Sequence, residues 1–381
     1  MREPLGAAIV GTGLVAGLHR RAIGAAGGIL RGLVGSSPER GREAAGRWGV
    51  PAYPDLEAAL ADRAVDVVHL CTPNALHHGM AKAALRAGKH LVCEKPLATT
   101  LAEATELEAL ARASARVATV PFVYRYHPVV REARARVLGG ELGPLQLIHG
   151  SYLQDWLLSP AATNWRVDAA RGGASRAFAD IGSHWCDLVE WVTGQRFTSL
   201  VAALQTTVGR RPARSLLTFA AADSSGPEEV LVPVSTEDVA VVLLRTGEGT
   251  LCTATISQVS AGRKNRLWFE IDGARRSLVF DQEEPERLWI GSAEAVELRV
   301  KDPTRGSAEQ RRLAVLPAGL TQGYQECFDA FVGDTYAAIA GGAPEGLPTF
   351  TDGLRSAQVV EAVLRSAAQG GWVAVAAAPA P

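Results

Sequence analysis

The sequence is poor in cysteine and has almost no net charge. Its five cysteines are scattered over 381 residues without a C-x-x-C pair, at Cys71, Cys93, Cys186, Cys252 and Cys327. This pattern favours reduced, mostly buried thiols over a disulfide framework or a structural zinc site. Because the formal net charge is −1, no basic surface is available for a phosphate backbone, and nucleic acid is not an expected partner.

Long apolar runs are also missing. No stretch reaches the roughly 18 apolar residues of a membrane span, and the first residues lack the basic segment, apolar run and cleavage site of a signal peptide. We therefore expect a cytoplasmic protein without a membrane partner. With 47% hydrophobic and 21% charged residues, the chain can bury a large core, and its length predicts two domains.

What the sequence does contain is a glycine-rich turn after a short apolar strand, residues 7–10. The turn fits the dinucleotide fingerprint G-x-G-x-x-G/A, in which Gly11 permits a tight turn and Gly13 lets the backbone approach a pyrophosphate. Ala16 would keep the next helix close to the strand. The alternative is a strand-to-helix turn that only needs glycine. The predicted phosphate-binding residues are Gly11, Thr12, Gly13, Leu14 and Val15.

Two more predicted strands end in polar or reactive groups. Val65 to Leu70 runs into the segment Cys71-Thr72-Pro73-Asn74, and His90 to Cys93 runs into Glu94-Lys95-Pro96. In open α/β sheets, ligands bind beyond the carboxyl ends of parallel strands. A lone lysine at a strand end is usually a solvated cation. Beside a nucleotide-binding fingerprint, Lys95 instead becomes a candidate catalytic group.

Strand and helix signals alternate at βαβ spacing through residues 1–125, closing with a predicted sixth strand, Arg116 to Val123. This predicts an NAD(P)-binding α/β Rossmann domain. Residues 126–381 are predicted to form an α+β domain with a largely antiparallel β-sheet, for substrate binding and oligomerisation. Its predicted strands are 145–150, 239–244, 250–258, 267–271 and 277–280, with hairpin turns at 247–249 and 272–273.

Predicted helices cover 101–113, 128–138, 182–193, 321–340 and 352–367, and the last could pack back on the Rossmann domain. Residues 208–236 contain too much turn chemistry for a buried strand pair. We predict a long loop there, over the active site or against an oligomer neighbour.

The candidate catalytic residues are Lys95, Asp180 and His184. Oxidation of a secondary alcohol needs a base for the hydroxyl proton while hydride leaves, and histidine is the natural base at neutral pH. Asp180 and His184 are four residues apart, so they would share one face of a helix. Asp187 could extend this face into a metal site. We instead predict a structural Asp187 and no metal.

These motifs, together with Asp180-Ile181-Gly182-Ser183-His184-Trp185-Cys186-Asp187, resemble the Gfo/Idh/MocA family of sugar and cyclitol oxidoreductases over nearly the whole chain. The segments Tyr152–Trp156, Asn164–Arg166 and Phe269–Gly273 are most similar to its levoglucosan dehydrogenase branch, which oxidises C3 of a pyranose ring. The resemblance implies an open-faced sheet in the second domain, whose free face forms a homodimer or homotetramer contact.

The resemblance also implies residue roles. Lys95 and His184 would act at the reacting hydroxyl with Asp180 positioning it, and which of the two is the terminal proton acceptor stays open. Further residues implied at the cofactor are Cys71, Thr72, Pro73, Asn74, His77, Glu94, Lys95, Arg125, Trp165 and Arg166. Residues implied at the substrate are Lys95, Arg125, Gln154, Trp156, Asp180, Ser183, His184 and Tyr324. For Trp156 and Tyr324, core packing is the alternative.

The choice between NAD and NADP depends on the end of the second strand. NAD enzymes usually carry an acidic side chain there for the ribose 2′-hydroxyl, but this sequence has Gly35 at that position. Ser36, Ser37 and Arg40 could hold a 2′-phosphate instead. We predict that the cofactor is NADP or NAD, with NADP slightly favoured.

The predicted function is NAD(P)-dependent hydride transfer from a secondary hydroxyl of a neutral pyranose, anhydrosugar, glycoside or cyclitol, because no basic cluster is evident for a phosphorylated substrate. One alternative is a glycoside-cleaving enzyme that oxidises C3 transiently and re-reduces it with the same nicotinamide. Another is a non-catalytic NAD(P)-binding sugar sensor. A pure sensor would not need Lys95, Asp180 and His184 together.

Overall fold

The computed structural model describes residues 3–213 and 230–377. The chain divides into two compact units: unit one is Met1–Val123 with Tyr324–Ala357, and unit two is Tyr124–Gly323 with Gln358–Pro381. The predicted boundary at residue 125 lies close to the end of the first segment. The prediction that everything after it forms one continuous domain differs from the structure, because residues 324–357 belong to unit one.

Unit one contains the predicted parallel sheet. Six strands pair in the order β3-β2-β1-β4-β5-β6, all parallel. The strands are β1 (Gly6–Val10), β2 (Ile29–Val34), β3 (Ala52–Tyr53), β4 (Val67–Leu70), β5 (His90–Cys93) and β6 (Ala118–Thr119). The connecting helices are α1 (Leu14–Ala25), α2 (Pro38–Trp48), α3 (Leu56–Ala61), α4 (His77–Arg86) and α5 (Leu101–Ser114). This confirms the α/β Rossmann prediction.

The sixth strand is much shorter than predicted. Instead of extending from residue 116 to 123, it covers only Ala118–Thr119, and Val123–Tyr126 turns into a 3-10 helix. The apolar residues that follow β6, Val120 and Phe122, are buried in the core of unit one without belonging to a strand. In this segment the apolar residues therefore indicate burial in the core of unit one, and not a β-strand.

Unit two is built on nine strands in the order β16-β15-β14-β13-β7-β12-β11-β8-β17. Within this sheet β7 and β12 are parallel, and the other described pairs are antiparallel. Its strands are β7 (Leu145–Leu153), β8 (Phe197–Gln205), β11 (Val239–Thr246), β12 (Leu251–Ser257), β13 (Arg266–Gly273), β14 (Ser277–Asp281), β15 (Arg287–Gly291), β16 (Val296–Val300) and β17 (Val373–Ala374). The hairpin turn predicted at 247–249 is present, whereas the one predicted at 272–273 lies after these residues, at 274–276, because Asp272 still pairs with Ser277.

The predicted long loop at 208–236 is only partly described. Its ends form a two-stranded antiparallel ribbon, β9 (Arg210–Pro212) with β10 (Leu231–Pro233). The prediction of a loop was wrong at these two ends, because their backbones pair despite the turn-rich sequence between them. Residues 214–229 lie outside the described part of the chain.

One face of the large sheet is covered by helices and the other is open. The helices of unit two are α6 (Pro128–Leu138), α7 (Ala169–Gly172), α8 (Ser183–Thr193) and α9 (Ala308–Leu313). Trp185 of α8 stacks on Phe197 and donates its indole N–H to the carbonyl of Trp268 at 3.0 Å. On the opposite face, Leu243 is 42% exposed and Leu298 is 60% exposed. The structure therefore has the open-faced, largely antiparallel sheet.

The last two helices are α10 (Tyr324–Ile339) and α11 (Phe350–Gln369). In unit one, α10 packs against α1, and Phe350 and Leu354 at the start of α11 join the core that contains Leu97. In unit two, Ser366 near the end of α11 accepts the backbone N–H of Ala202 at 2.9 Å. Within residues 3–213 and 230–377, none of the helices has the length and apolar character needed to cross a bilayer.

Candidate active site

The glycine-rich turn begins where β1 ends. Gly11 has φ of 112°, and a Cβ placed on it would lie 2.4 Å from the carbonyl oxygen of Cys71, so the turn requires glycine. Gly13 caps α1 with extended backbone, and a Cβ there would meet no atom within 4 Å. The first turn of α1 has no acidic residue and no side-chain cap. Its backbone N–H groups therefore suit a pyrophosphate.

The loop after β4 offers a buried hydroxyl. Thr72 Oγ1 is buried and has no hydrogen-bond partner in the structure, and Asn74 begins a 3-10 turn directly after Pro73. A buried polar atom without a partner is costly unless a ligand or water completes it. Burial, reinforced by Glu94, raises the pKa of the Cys71 thiol, so that side chain stays uncharged. The buried Thr72 hydroxyl suits a ligand contact at this loop, and the cofactor contacts of residues 71–74 stay a prediction.

His77 joins the two cofactor-facing loops. It is fully buried, with Nδ1 at 2.8 Å from the carbonyl oxygen of Pro96 and Nε2 at 3.0 Å from that of Thr72. Both ring nitrogens are thus engaged by backbone. The sequence predicted that His77 contacts the cofactor, whereas this geometry makes it a connector that holds the loops after β4 and β5 together.

Glu94 anchors the turn that presents Lys95. Its Oε1 lies 3.0 Å from His19 Nε2, and its Oε2 accepts the backbone N–H of Lys95 at 3.1 Å. Burial opposes ionisation, but the hydrogen bond and charge of His19, together with Lys95, lower the pKa of Glu94 below its ordinary value. The carboxylate is therefore ionised at neutral pH, and Lys95 follows it at the carboxyl end of β5.

Asp180 and His184 of unit two lie where a helix changes its geometry. Asp180 belongs to a π-helical turn, Phe178–Gly182, and His184 to the first turn of α8. Such π turns are frequent at functional sites. Asp180 Oδ2 accepts from Gln258 Nε2 at 2.9 Å, and its Oδ1 lies 3.4 Å from Arg166 Nε. The carboxylate is therefore held from two sides.

A polar and aromatic network lies beside His184. The ring of His184 meets the ring of Tyr124 edge-on at 5.1 Å. Tyr152 donates its hydroxyl to Asn265 Oδ1 at 2.7 Å, and Gln154 Nε2 donates to the same oxygen at 2.9 Å. These side chains place hydroxyl and amide groups beside the imidazole of His184. Such groups suit a ligand rich in hydroxyls.

The same network orients Trp156. Its indole N–H donates to Gln154 Oε1 at 2.8 Å, which fixes the amide of Gln154 with its nitrogen towards Asn265. Asn265 Nδ2 donates to the hydroxyl of Tyr124 at 3.1 Å. Sequence reasoning missed Asn265 and Gln258, because each is a single amide in or beside a strand with no motif around it. The predicted residues Gln154 and Trp156 do belong to the network.

Three other predicted ligand contacts use their side chains within the protein. Arg125 forms a bidentate ion pair with Asp187, with Nε at 2.9 Å from Oδ2, and is almost fully buried. Ser183 donates its hydroxyl to the carbonyl of Ala179 at 2.8 Å. Tyr324 packs edge-on against Phe328. This geometry favours supporting roles for all three. It also gives Asp187 the structural role predicted for it.

Trp165 and Arg166 lie together in a short 3-10 helix. The guanidinium carbon of Arg166 is 4.4 Å from the centre of the Trp165 ring, and Asn164 caps this turn by accepting the backbone N–H of Arg166 at 2.8 Å. Arg166 also approaches Asp180, as described above. The pair predicted to approach the nicotinamide end is therefore ordered by its own stacking.

The end of β2 explains why the usual acidic residue is missing. A Cβ on Gly35 would lie 2.3 Å from the backbone nitrogen of Gly41, so no side chain fits at that position without moving α2. Ser37 caps α2 by accepting the N–H of Arg40 at 3.3 Å. Ser36 and Arg40 are exposed. This part of unit one thus presents hydroxyls and a guanidinium.

Among the described residues, one cluster of three could hold a cation, and it lies on the open face of the large sheet. His149 Nε2 is 3.6 Å from Glu270 Oε2 and 3.7 Å from Asp272 Oδ2. Burial and the neighbouring Asp272 raise the pKa of Glu270. The cluster does not include Asp180, His184 or any other predicted catalytic residue.

We expect Gly11→Ala to weaken nicotinamide binding at least about tenfold, because the new Cβ collides with the Cys71 carbonyl at the turn that faces the pyrophosphate. Gly17→Ala is the matched control, since a Cβ there meets no atom within 4 Å. Fluorescence titration with NADH measures both. Unchanged NADH affinity in Gly11→Ala would contradict the assigned turn.

Comparison with known proteins agrees with this arrangement. Residues 5–122 match the oxidoreductase family described as having an NAD-binding Rossmann fold, and residues 130–279 match the GFO/IDH/MocA C-terminal domain. The chain is 32% identical over 352 residues to levoglucosan dehydrogenase of Pseudarthrobacter phenanthrenivorans, covering 91% of this chain and 90% of that protein.

Solved structures give the same result. A levoglucosan dehydrogenase in complex with NADH and L-sorbose superposes with a TM-score of 0.88 at 29% identity, over 98% of this chain and 100% of that one. An inositol dehydrogenase homologue from Azotobacter vinelandii, complexed with NADH and myo-inositol, gives a TM-score of 0.82 at 27% identity, over 98% of both chains. The chain therefore belongs to the Gfo/Idh/MocA family of NAD-binding oxidoreductases.

Proposed function

We propose that this protein is an NAD(P)-dependent dehydrogenase that removes hydride from a secondary hydroxyl of a neutral pyranose, anhydrosugar, glycoside or cyclitol. The observation that supports this most is the network of Tyr152, Gln154, Trp156 and Asn265 beside His184. Amides and phenols recognise hydroxyls, and an indole face suits the C–H surface of a sugar ring. The similar proteins carry names or ligands of the same class, levoglucosan, L-sorbose and myo-inositol.

The proposed chemistry assigns separate tasks to the chain's residues. The nicotinamide, when bound, accepts the hydride at C4. Lys95 donates to the reacting oxygen and stabilises negative charge developing there. His184 is the second group at that hydroxyl and can take its proton, while Asp180, held by Gln258 and Arg166, fixes the local geometry.

The charges near this network favour a neutral substrate. Lys264 is paired with Asp155 at 2.6 Å, and Arg166 approaches Asp180. The cations on either side of Asn265 in sequence, Lys264 and Arg266, are paired with Asp155 and Asp281, and together with Arg166 they do not form a phosphate clamp. We propose sugars or cyclitols without phosphate as substrates.

For the cofactor we propose that NADP is accepted and slightly favoured over NAD. The support is the missing acid at Gly35 and the exposed Ser36 and Arg40, which can donate to a 2′-phosphate. For the assembly we propose a homodimer or homotetramer through the open sheet face. Its exposed apolar residues, including Leu243, Leu251 and Leu298, make a second copy of this chain the natural partner.

The test is turnover with purified protein, NAD or NADP, and a panel of levoglucosan, glucose, simple glucosides, myo-inositol and glucose 6-phosphate. We expect reduced nicotinamide to accumulate with at least one neutral member and not with the phosphate ester. Gln154→Leu should raise the KM of that substrate about tenfold by breaking bonds to Asn265 and Trp156. Gln146→Leu, an exposed glutamine on β7, is the matched control.

The same panel separates the alternatives. Release of the aglycone from a glucoside without accumulation of reduced cofactor would point to a glycoside-cleaving enzyme. Binding of both NAD(P) and sugar without any turnover would point to a sensor. An affinity for NAD at least tenfold higher than for NADP would contradict the cofactor proposal while leaving the dehydrogenase proposal intact.

A further inference from the structure

Four buried polar side chains form a continuous line behind Lys95, all within unit one. Glu94 Oε1 lies 3.0 Å from His19 Nε2, and His19 Nδ1 lies 2.9 Å from His69 Nδ1. His69 Nε2 lies 3.1 Å from the hydroxyl of Tyr336. Both histidines have no exposed surface, and Glu94 and Tyr336 are 8% and 6% exposed. The sequence motifs explain Glu94 and Lys95 but assign nothing to the other three groups.

The elements of the Rossmann unit bring these groups together from four places in the chain. His19 is on α1, His69 is in the middle of β4 between Val68 and Leu70, and Tyr336 is on α10. Phe328 packs edge-on against His19 at 5.1 Å, so an apolar ring lies against this line of polar groups. Burying four polar groups in such a core is costly unless each is hydrogen-bonded, and here each one has a partner.

The contacts determine where the protons lie. The ionised Glu94 accepts from His19 Nε2, so a neutral His19 has Nδ1 as an acceptor. His69 must then donate from Nδ1, and its Nε2 accepts from the Tyr336 hydroxyl. Burial, and then the neighbouring His19, lowers the pKa of His69 far below its ordinary value, which keeps this ring neutral.

A reversed arrangement keeps all three contacts of this line of side chains. With one more proton, Glu94 is protonated and donates to His19 Nε2, His19 donates from Nδ1, and His69 donates from Nε2 to Tyr336. The two arrangements differ by one proton and by the tautomer of each imidazole. A proton that enters at Glu94 can therefore be passed along the three contacts, and the hydroxyl proton of Tyr336 is the one released.

We propose that Glu94, His19, His69 and Tyr336 form a proton relay that begins beside Lys95 and ends at the hydroxyl of Tyr336 on α10. The inference rests on the proposed dehydrogenase function. In alcohol oxidation, the C–H electron pair leaves as hydride to the nicotinamide and the O–H proton passes to the active-site base. The relay takes that proton through Glu94 and releases one from Tyr336, and ketone reduction reverses the direction.

The surroundings agree with an exit at Tyr336. Burial, and then the exposed carboxylate of Asp66, raises the pKa of the Tyr336 hydroxyl, so Tyr336 is the protonated end of this line of groups. At the other end, burial and Glu94 raise the pKa of the Cys71 and Cys93 thiols, which keeps them uncharged. The other charged or titratable groups on α1, β4, β5 and α10 are Arg20, Arg21, His90, Tyr324, Glu326, Cys327, Asp329 and Asp334, and His77 and Lys95 follow β4 and β5.

His19, His69 and Tyr336 act through Glu94, so they are positioning residues, and the test needs a readout beyond loss of activity. We expect His69→Leu to lower kcat at least about tenfold. KM and the NADH dissociation constant should stay within about twofold. The pH profile of kcat should change, because the imidazole that is hydrogen-bonded to His19 is gone. In His69→Ala, which leaves room for a small ring, added imidazole should raise kcat, whereas in the wild type it should not.

Two further variants are compared with His69→Leu. Tyr336→Phe removes only the terminal hydroxyl and should reproduce the change in the pH profile to a smaller degree. Thr335→Val is the matched control, because Thr335 is a fully buried hydroxyl on the same helix that bonds to Phe331 and Thr119 outside the relay. We expect Thr335→Val to keep the wild-type kcat and pH profile.

Nuclear magnetic resonance of imidazole nitrogens tests the chain without any substrate. We expect one strongly downfield proton coupled to Nδ1 of both His19 and His69, lost in His69→Leu. Protonation of both rings at Nε2 alone would overturn the relay. So would a folded His69→Leu with wild-type kcat and pH profile, or a loss of kcat in His69→Ala that imidazole does not restore. A wild type that turns over no sugar would contradict the proposed function instead, because the resonance test is independent of it.

Discussion

Lys95→Ala is expected to lower kcat by about 10²–10⁴-fold, because the ammonium at the end of β5 is proposed to stabilise negative charge on the reacting oxygen. In the turn that contains Lys95, the backbone N–H of Lys95 donates to the Glu94 carboxylate. Removal of the side chain should leave that anchor intact. We therefore expect the NADH dissociation constant to change by less than about threefold.

His184→Ala should cause a loss of similar size if both groups act on one hydroxyl. Lys82→Ala is the matched control, since Lys82 is a surface lysine of α4 paired with Glu106. Single-turnover measurement of nicotinamide reduction separates the chemical step from product release. Retention of more than about a tenth of the wild-type rate in Lys95→Ala would contradict its assigned role.

Asp238→Ala is expected to lower the free energy of unfolding of unit two by about 3–5 kcal/mol. Asp238 is fully buried and is shared by two fully buried arginines, Arg176 and Arg211. Its Oδ2 also accepts the backbone N–H groups of Thr207 and Val208 at 2.8 and 3.0 Å. Removing the carboxylate leaves two buried positive charges without their counter-ion.

Loss of the Asp238 carboxylate should affect the proposed substrate-binding network as well as the stability of unit two. Arg211 donates to the carbonyl oxygens of Leu157, Ser159 and Ala162, at 2.9, 3.0 and 2.8 Å. This loop directly follows Trp156, so an unpaired Arg211 should loosen that side of the network. We expect KM to rise in Asp238→Ala even at temperatures where the protein is folded.

Thermal and urea unfolding monitored by tryptophan fluorescence measure the effect. Asp238→Asn is the matched variant, since it keeps the size and most hydrogen bonds but removes the charge, and it should fall between the wild type and Asp238→Ala. Burial opposes ionisation of Asp238, but Arg176 lowers its pKa below the ordinary value. The stabilisation by the ionised Asp238 is therefore fully present at pH values above the ordinary carboxyl pKa. It is lost only as the pH falls through the lowered pKa of Asp238. Equal stability of all three proteins at neutral pH would contradict this account.

Much of the Rossmann unit was predictable because its signals are local. A short apolar strand followed by Gly11 and Gly13 predicts a strand, a turn and a helix N-terminus from adjacent residues, and the structure has them in that order. The strand that ends at Cys93 likewise predicts the position of Lys95. The carboxyl ends of parallel strands lie at the same edge of a sheet, so the segments that follow β1 and β5 lie at that edge.

The elements that were missed depend on partners far away in the chain. β8 (Phe197–Gln205) lies between β11 and β17, and β15 and β16 are five-residue strands with polar or exposed outer positions. Short strands near an edge carry little periodic signal of their own. The same applies to residues 324–357, which belong to unit one although the segment Tyr124–Gly323 of unit two comes before them.

The sequence by itself determined the family and the parallel and antiparallel sheets, and it predicts Lys95, Asp180 and His184 as candidate catalytic residues, because these follow from local motifs and their order along the chain. Only the tertiary structure decided which side chains meet. It paired Arg125 with Asp187, placed Gln258 against Asp180, and aligned His19, His69 and Tyr336 behind Glu94. Those contacts join residues that are distant in sequence, and hydrogen-bond geometry over such separations is set by packing and not by any local pattern.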